Sequence, residues 1–401
     1  MLAGQISKEQ IRKGLDSIYL VAFALFLALA FMYTTTFEIE WPEFLYYDIR
    51  LFLFAIVFAR IILSDAYTLR ESILAVLIFV VFFAAWRRNS EDIMLNTLLL
   101  VLGSKGISFR KMMKVYFGVT GGLLLITMYA ALSGKIENLV YFQNGRRMRV
   151  AFGICYPTDF SAHAFYMILA YGYIRRERIK YFEIAIIAAL GAGVYYFCDA
   201  RVNTVCILVT AGILFYNKFR IEQAVKRRKN YEMNPIWSAL LALSTTLCAT
   251  FMIVMTLLYT SENKLTVLID RIINNRLRLG KKGIELFGFS LFGKWIPMQG
   301  SGGSTKELVR YFFLDSSYIN IALQYGVLIL GIVLIICCCI GFRAREEKNW
   351  IFLWIMSIVA VQCMIEHHML DISYNPFLWA LFANTVSEPI RELKQVRKEK
   401  L

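Results

Sequence analysis

The chain has 401 residues, of which 58% are hydrophobic and only 18% are charged. This composition excludes an ordinary soluble globular protein and is typical of a membrane protein. The formal net charge of +15 would indicate nucleic-acid binding in a soluble chain. In a membrane protein an excess of lysine and arginine has a simpler cause, because these residues fix the orientation of the spans. Nucleic acid is therefore not an expected partner.

Hydrophobic segments long enough to cross a bilayer, about 17 to 25 residues each, recur along the whole chain. We predict one polytopic all-α domain over residues 1–401, with about twelve transmembrane helices. No small-residue cleavage site follows the first apolar segment, so it is interpreted as an uncleaved helix rather than a signal peptide. The predicted spans are 17–35, 44–64, 72–86, 92–107, 113–132, 159–174, 181–199, 202–217, 236–260, 315–341, 349–368 and 374–387.

The distribution of basic residues predicts that both termini are cytoplasmic. With that orientation, 26 of the 44 lysines and arginines lie in cytoplasmic segments and 16 lie outside. Thirteen of those 16 fall in two segments, 133–151 and 261–314. Positive charge on the translocated side is unfavourable for topology, so its concentration needs a cause. Two causes are open: contact with anionic lipid headgroups, or a binding site for an anionic substrate.

The second of these segments, called here the long loop, is predicted to be an external loop between spans nine and ten. Residues 264–279 have the periodicity of an amphipathic helix on the membrane surface. Arg271, Asn275 and Arg278 share its polar face, whereas Arg276 falls on the apolar face. Arg276 therefore either extends to water or points into a polar cavity beneath the helix. A guanidinium in such a cavity is suited to pyrophosphate, because it forms paired hydrogen bonds and stays charged.

Three candidate residues lie before the long loop. Arg201 follows Asp199 between spans seven and eight, so it forms either a local ion pair or a substrate contact at membrane depth. Arg149 belongs to a basic cluster that precedes a turn-forming segment before span six. His163 lies about one helical turn after Asp159, and it is either structural or a base.

Two carboxylates are candidates in the C-terminal third of the chain. Asp315 begins span ten, where it either stabilises a helix N-terminus or activates an acceptor hydroxyl. Glu366 precedes two histidines near the predicted outer face, where it would orient a sugar or pair with an arginine. Adjacent residues on a helix do not share a face, so no metal site is predicted at Glu366-His367-His368. The chain also contains no DxD triplet, and no metal or other cofactor is predicted.

Several short motifs follow one another between about residues 140 and 385. They are Arg149-x-x-x-Gly153 with Tyr156-Pro157-Thr158; Ala200-Arg201; Arg276-Leu277-Arg278 with Leu286-Phe287-Gly288 and Leu291-Phe292-Gly293; Asp315, Tyr318, Gln324 and Gly326; and Asn375-Pro376-Phe377. Their order resembles the O-antigen polymerase and ligase superfamily, specifically the Wzy-type polymerases of surface polysaccharides. Gln324 stands where the family commonly has Glu, and Thr158 where it usually has Asn.

The resemblance implies a GT-C-like membrane glycosyltransferase of the bacterial cytoplasmic membrane. Such an enzyme polymerises polyprenyl-pyrophosphate-linked oligosaccharide repeat units on the outer face, for a capsule or exopolysaccharide of the cell envelope. Its expected partners are the lipid-linked donor and acceptor, membrane lipids, a flippase and a chain-length regulator. An aspartate in place of the ligase histidine at Asp315 favours a polymerase over a ligase. A lipid-linked oligosaccharide flippase and an O-antigen-ligase-type transferase remain as alternatives.

We assign Arg276 and Asp315 to catalysis, with arginines stabilising the departing pyrophosphate and Asp315 deprotonating the acceptor. The long loop is expected to be a lid over a cavity that has Arg201 in its floor and Asp315 at its rim. The predicted substrate-binding residues are Arg149, His163, Arg201, Arg278, Tyr318 and Glu366.

Overall fold

The computed structural model of the protein describes residues 8–38, 43–63, 67–142, 147–228, 231–305 and 311–385, and it is mostly helical, at 71%. Arg146, Lys306 and Arg310 of the two basic segments, and the C-terminal residues predicted to be cytoplasmic, lie outside these ranges. A two-stranded antiparallel ladder pairs β1 (Val140–Tyr141) with β2 (Arg149–Val150). In chain order the α-helices are α1 (Lys8–Met32), α2 (Glu43–Leu63), α3 (Leu69–Asn89), α4 (Ile93–Gly103), α5 (Phe109–Leu132), α6 (Pro157–Arg175), α7 (Tyr181–Cys198), α8 (Arg201–Lys226), α9 (Pro235–Ala242), α10 (Ser244–Leu258), α11 (Lys264–Ile272), α12 (Arg276–Phe287), α13 (Ser317–Asn320), α14 (Val327–Glu346) and α15 (Trp350–Gln362).

Six of the described helices are long and apolar enough to cross a membrane: α1, α3, α5, α7, α8 and α14. The pair α9 and α10, bent by 58° at its break, would make a seventh. Large apolar side chains such as Leu77, Leu125, Tyr196 and Ile335 are exposed on these helices, as expected where a helix faces lipid tails. The architecture is therefore compatible with the predicted polytopic membrane protein.

The buried core is continuous from the first helix to the C-terminal segment. Buried side chains from Tyr19 in α1 to Trp379 after α15 belong to one apolar cluster. Phe109 packs edge-on against Tyr173 of α6 and contacts Phe352 of α15. These contacts between early and late helices fix the C-terminal segment that forms one wall of the candidate site.

Two predicted spans are much shorter in the structure. The segment 92–107 forms α4, which has 11 residues and is buried along nearly its whole length. The segment 374–387 contains, among its described residues, only the short 3₁₀ turn Phe377–Leu381. Hydrophobic runs of this length are found in a protein interior as readily as in contact with lipid. Composition alone therefore overestimated the length of the helix in these two segments. Span eleven likewise ends early, at Gln362.

The predicted tenth span, 315–341, is broken at Gly326. The turn α13 continues into a π-helical turn, Ile321–Tyr325, and the apolar helix α14 begins only at Val327. Gly326 has φ 104° and ψ 156°, a conformation that is essentially restricted to glycine. A backbone segment of the long loop fills the break, because the Val327 N–H donates to the Ser290 carbonyl at 3.0 Å.

The helix predicted over 264–279 is two helices, α11 and α12. Asn274 and Asn275 between them have left-handed φ values of 57° and 66°, which asparagine tolerates better than most residues. Asp270 stabilises the junction, because its Oδ1 accepts the backbone N–H of Leu277 at 2.8 Å and that of the next residue at 3.1 Å. The break places Arg276 at the first position of α12 instead of in the middle of an apolar face.

We predict that Gly326→Ala destabilises the protein strongly and that Gly331→Ala does not. A Cβ at Gly326 would collide with the Leu291 carbonyl oxygen, and its φ is strained for alanine, so the loss should be about 3 kcal/mol or more. Gly331 lies inside α14 with open space around a Cβ, and alanine there should stabilise by up to about 1 kcal/mol. The temperature at which half of the monodisperse gel-filtration peak is lost measures the stability of both variants. Equal midpoint temperatures for Gly326→Ala and Gly331→Ala would contradict the prediction.

Candidate substrate-binding cavity

A polar cavity of about 640 Å³ lies where α6, α8, the α11–α12 junction, the long loop and the segment after α15 meet. Its walls carry cationic and anionic side chains together, which is unusual for a buried surface. A phosphate-sized anion needs such fixed cations, and the acids supply candidate bases. The arginines that line it are Arg149, Arg201, Arg271 and Arg276.

Arg276 points into this cavity and pairs with Asp315. Its Nη1 lies 2.9 Å from Asp315 Oδ2, and the two side chains are 11% and 13% exposed. The Arg276 Nε donates to the carbonyl of Ile365 at 3.0 Å, and its Nη1 donates to that of Asn274 at 3.1 Å. The guanidinium is thus held by three separate segments of the chain, and its orientation is fixed before any ligand binds.

Asp315 does not cap a helix, because Ser316 occupies the N-cap position of α13. Its carboxylate instead faces the cavity, where Tyr311 Oη donates to Oδ2 at 3.3 Å. Burial raises the pKa of Asp315 above its ordinary value, and the nearby Arg276 cation opposes that rise. Asp315 is therefore a carboxylate whose basicity depends on how much of the Arg276 charge it faces.

Arg149 is a second buried arginine in the cavity wall. The β1–β2 ladder presents it, and its Nε donates to the Cys198 carbonyl at 3.0 Å. Its Nη1 donates to Tyr156 Oη at 3.2 Å, and the guanidinium lies over the Tyr156 ring at 5.1 Å from the centroid. These contacts fix one edge of the guanidinium and keep the side chain at the cavity surface.

Arg201 lies at the cavity mouth and not on its floor. Its side chain is 66% exposed, and its Nε is 3.4 Å from the buried Asp199 Oδ1. The predicted positions of Arg201 and Asp315 are thus reversed, because Asp315 is the buried group of the two. Arg201 begins α8 directly after the turn at Asp199, which leaves its side chain at the end of the bundle.

Three predicted substrate-binding residues do not line the cavity. Arg278 is exposed on the far side of α12. Tyr318 is fully buried, and its hydroxyl donates to the Ala360 carbonyl at 2.8 Å. His163 is also fully buried, where Nε2 is hydrogen-bonded to Thr34 Oγ1 at 3.0 Å. Tyr318 and His163 thus make contacts inside the core and lie outside the cavity lining, so the structure does not bring them together with the other candidates.

Glu366 does line the cavity, together with an acid that had no assigned role, Asp159. The Glu366 side chain is almost fully buried, and its Oε2 lies 3.8 Å from His368 Nε2. The Asp159 Oδ1 lies 3.9 Å from the same nitrogen. The segment after Gln362 is a series of turns and not a helix. Helical geometry therefore does not force the side chains of His367 and His368 to point in different directions.

The long loop covers one side of the cavity through backbone contacts. The Gly303 N–H donates to the Cys155 carbonyl at 2.9 Å, and Tyr141 Oη donates to the Ser301 carbonyl at 3.2 Å. Gln299 pairs with Phe312 in an isolated antiparallel bridge. Glycine and serine at 300–304 allow this close approach. That local composition is the feature of the sequence that could have indicated a close contact between the long loop and the bundle.

An apolar groove of about 1040 Å³ lies beside the polar cavity, between α5, α6 and α7. Its lining is almost entirely apolar and includes Gly118, Gly122 and Gly193, around which a Cβ would meet no other atom within 4 Å. The groove reaches Cys198, the residue whose carbonyl accepts the Arg149 hydrogen bond. The apolar groove and the polar cavity are therefore neighbours at the contact between Cys198 and Arg149.

Comparisons of the chain with models of protein families, with curated proteins and with solved structures found no match.

Proposed function

We propose that this protein is a membrane glycosyltransferase that polymerises polyprenyl-pyrophosphate-linked oligosaccharide repeat units for a surface polysaccharide. The observation that carries the proposal is that an arginine-lined cavity lies next to an apolar groove, with the Arg149–Cys198 contact between them. A prenyl pyrophosphate has the same two-part character, because a doubly charged head is joined to a long hydrocarbon chain. The order of motifs that resembles the O-antigen polymerase and ligase superfamily supports the same class.

In this proposal Arg149 and Arg276 bind the pyrophosphate, and Arg201 at the mouth guides it in. Guanidinium groups form paired hydrogen bonds with phosphate oxygens and keep their charge when they are buried. Arg149 and Arg276 are already oriented by backbone carbonyls, so little side-chain entropy is lost on binding. The prenyl chain leaves the head next to Cys198 and occupies the apolar groove.

The proposed reaction transfers a glycan from pyrophosphate to a sugar hydroxyl. The acceptor oxygen forms a bond to the anomeric carbon of the donor, and the bond from that carbon to the pyrophosphate oxygen breaks. The electron pair of the broken bond stays on the prenyl pyrophosphate, where the arginines stabilise it. Asp315 takes the proton of the acceptor hydroxyl. The products are a longer glycan on the acceptor lipid and free prenyl pyrophosphate.

The Arg276–Asp315 ion pair links pyrophosphate binding to this proton transfer. Without substrate, the two charges neutralise each other at 2.9 Å. A pyrophosphate that binds Arg276 competes for its guanidinium and weakens the pair. Since the Arg276 cation lowers the pKa of Asp315, a weaker pair makes the carboxylate a stronger base while the donor is in place.

The proposal includes an outward orientation of the cavity and a chain that crosses the membrane about twelve times. Six long helices and the bent pair α9–α10 supply up to seven crossings, and α2, α6 and α15, with 21, 19 and 13 residues, would supply three more. The short elements α4 and Phe377–Leu381 would complete the count as short crossings inside the bundle. Lys105 after α4 pairs with Glu71 at the start of α3, and the Asn384 N–H donates to the Ile107 carbonyl just before α5, so both elements lead back to the side where these helices begin. The bias of basic residues predicts that the α8–α9 connection is cytoplasmic and the long loop external.

This orientation predicts opposite labelling of two single-cysteine variants. In a chain whose eight cysteines are replaced by alanine, Thr305→Cys should react with a membrane-impermeant maleimide in intact cells. Arg227→Cys should react only after the cells are permeabilised. Both positions are exposed, so accessibility of the side chain does not distinguish them. The reverse pattern would show that the cavity opens to the cytoplasm, where an outer-face polymerase has no access to its substrate.

The polymerase is distinguished from its alternatives by its product. Purified protein in nanodiscs with a polyprenyl-pyrophosphate-linked repeat unit should yield a ladder of longer glycans. A ligase would transfer the glycan only to a different acceptor, and a flippase would move the lipid without changing it. Among the described residues, no residue before Arg149 lines the polar cavity, whereas a transporter pathway between two halves of the chain would draw on both.

We predict that Asp315→Asn and Arg276→Lys each lower the rate of ladder formation about 10²–10⁴-fold, the range for losing a positioned base or a fixed cation. Lysine cannot reproduce the contacts of the Arg276 guanidinium with both Ile365 and Asp315. Arg278→Lys, two residues further on but exposed on the far side of α12, is the matched control and should retain wild-type activity. Full activity in a folded Asp315→Asn protein would remove Asp315 from the base role.

The apolar groove gives a prediction that depends on the length of the prenyl chain. Gly193→Phe should fill part of the groove and raise KM for a long-chain donor about tenfold, because displacing about two methylene groups costs about 1.6 kcal/mol. A donor with a short prenyl chain should be unaffected. Gly212→Phe, at another helical glycine with open space but outside the groove, is the control. If both variants behave alike, the groove does not hold the chain.

A further inference from the structure

One cluster of side chains in the cavity wall has no role in the proposed transfer. Asp159 comes from the first turn of α6, and Glu366, His367 and His368 come from the turns after α15. One donor atom from each of the last three residues lies within 4.8 Å of the others. The cluster therefore brings four groups of metal-ligating chemistry together from two distant parts of the chain.

His368 is the residue that indicates a ligand. Its side chain is 0% exposed, and neither of its ring nitrogens has a hydrogen-bond partner in the described part of the chain. A buried imidazole without partners is costly, because its desolvation is not compensated. The ring stacks on Tyr374 with centroids 3.8 Å apart, so it cannot easily turn to find one. Nδ1 of the neighbouring His367 is also buried without a partner among the described residues.

The distances around His368 suit a cation better than a direct hydrogen bond. Its Nε2 lies 3.8 Å from Glu366 Oε2 and 3.9 Å from Asp159 Oδ1, which is too long for a hydrogen bond. Ligands in a tetrahedral zinc site are about 3.4 Å apart, since each bond is about 2.0–2.2 Å. A contraction of about half an ångström would bring each of these two oxygens to that spacing from His368 Nε2.

Backbone contacts hold the cluster in place without using its ligand atoms. The Ser317 Oγ donates to the Glu366 carbonyl at 2.6 Å, and the Met369 N–H donates to Ser317 Oγ at 3.2 Å. These bonds fix the turns on both sides of the two histidines. Asp159, Glu366 and His367 all line the polar cavity, which provides a path for an ion to enter.

We infer that Asp159, Glu366, His367 and His368 form a binding site for a divalent transition-metal cation of the zinc class. Two carboxylates and two neutral imidazoles balance the charge of such an ion and match the ligands that it prefers. The ion joins the start of α6 to the segment after α15, and its ligands do not include Arg149 or Arg276, the residues proposed to bind pyrophosphate. The inference does not depend on the proposed transfer reaction.

The test is a measurement of metal binding by the purified full-length protein. After loading with Zn²⁺ and removal of excess metal, wild-type protein should retain about one zinc per chain, the number that one four-ligand site holds. Replacement by Co²⁺ should give the visible ligand-field absorption of a four-coordinate site. His368→Ala should lower zinc affinity at least tenfold and abolish this spectrum. His163→Gln is the control, because His163 is equally buried and stacks on Tyr374, but lies outside the cluster.

Glu366→Gln and Asp159→Asn keep the inference testable if His368→Ala does not fold. Each removes one anionic ligand with little change in shape, and each should weaken zinc binding and alter the Co²⁺ spectrum. Wild-type protein that is monodisperse and retains less than about one tenth of a zinc per chain would overturn the inference, because a four-ligand site should be nearly filled. Unchanged metal binding in both conservative variants would overturn it as well.

Discussion

The ion pair between Arg276 and Asp315 is the interaction on which the candidate site depends. It joins the start of α12 to the residue before the N-cap of α13, and the Arg276 contact with Ile365 adds the segment after α15. Removing one partner would leave a charge in a largely buried place, which is costly. The pair therefore constrains three parts of the chain at once, and it keeps a cation and a candidate base side by side in the cavity.

Two contrasting environments explain why this cavity suits an amphiphile. The polar side is held by backbone carbonyls that orient Arg149 and Arg276. The apolar side is a groove between α5, α6 and α7, kept open by glycines. Cys198 connects the two, because it lines the groove while its carbonyl accepts a hydrogen bond from Arg149. A soluble sugar phosphate would use only the first environment and a plain lipid only the second.

The sequence was informative where the physical rule is local. Apolar length and composition predicted a helical, membrane-compatible chain. The basic residues on the predicted external side include Arg149, Arg201 and Arg276, which all line one cavity. The break at Gly326 was not predicted, although Gly326 belonged to a named motif, because its cause is a backbone segment from the long loop. The break between α11 and α12 was missed because two asparagines interrupt a periodicity that otherwise continues.

Tertiary contacts account for the remaining differences. His163 and Tyr318 carry polar groups at helical spacing from functional candidates, yet His163 Nε2 is hydrogen-bonded to Thr34 and the Tyr318 hydroxyl to Ala360 inside the core. A polar side chain that holds two helices together has the same sequence signature as one that binds a ligand. The turns after Gln362 bring His368 towards Asp159, which no helical periodicity would indicate.

The most direct measurement is a cryo-EM structure of the wild-type protein in lipid nanodiscs with undecaprenyl pyrophosphate. The account predicts pyrophosphate density within hydrogen-bond distance of Arg149 and Arg276, with the first isoprene units in the groove beside Cys198. Lipid density at another site, with neither arginine in contact with phosphate, would contradict it.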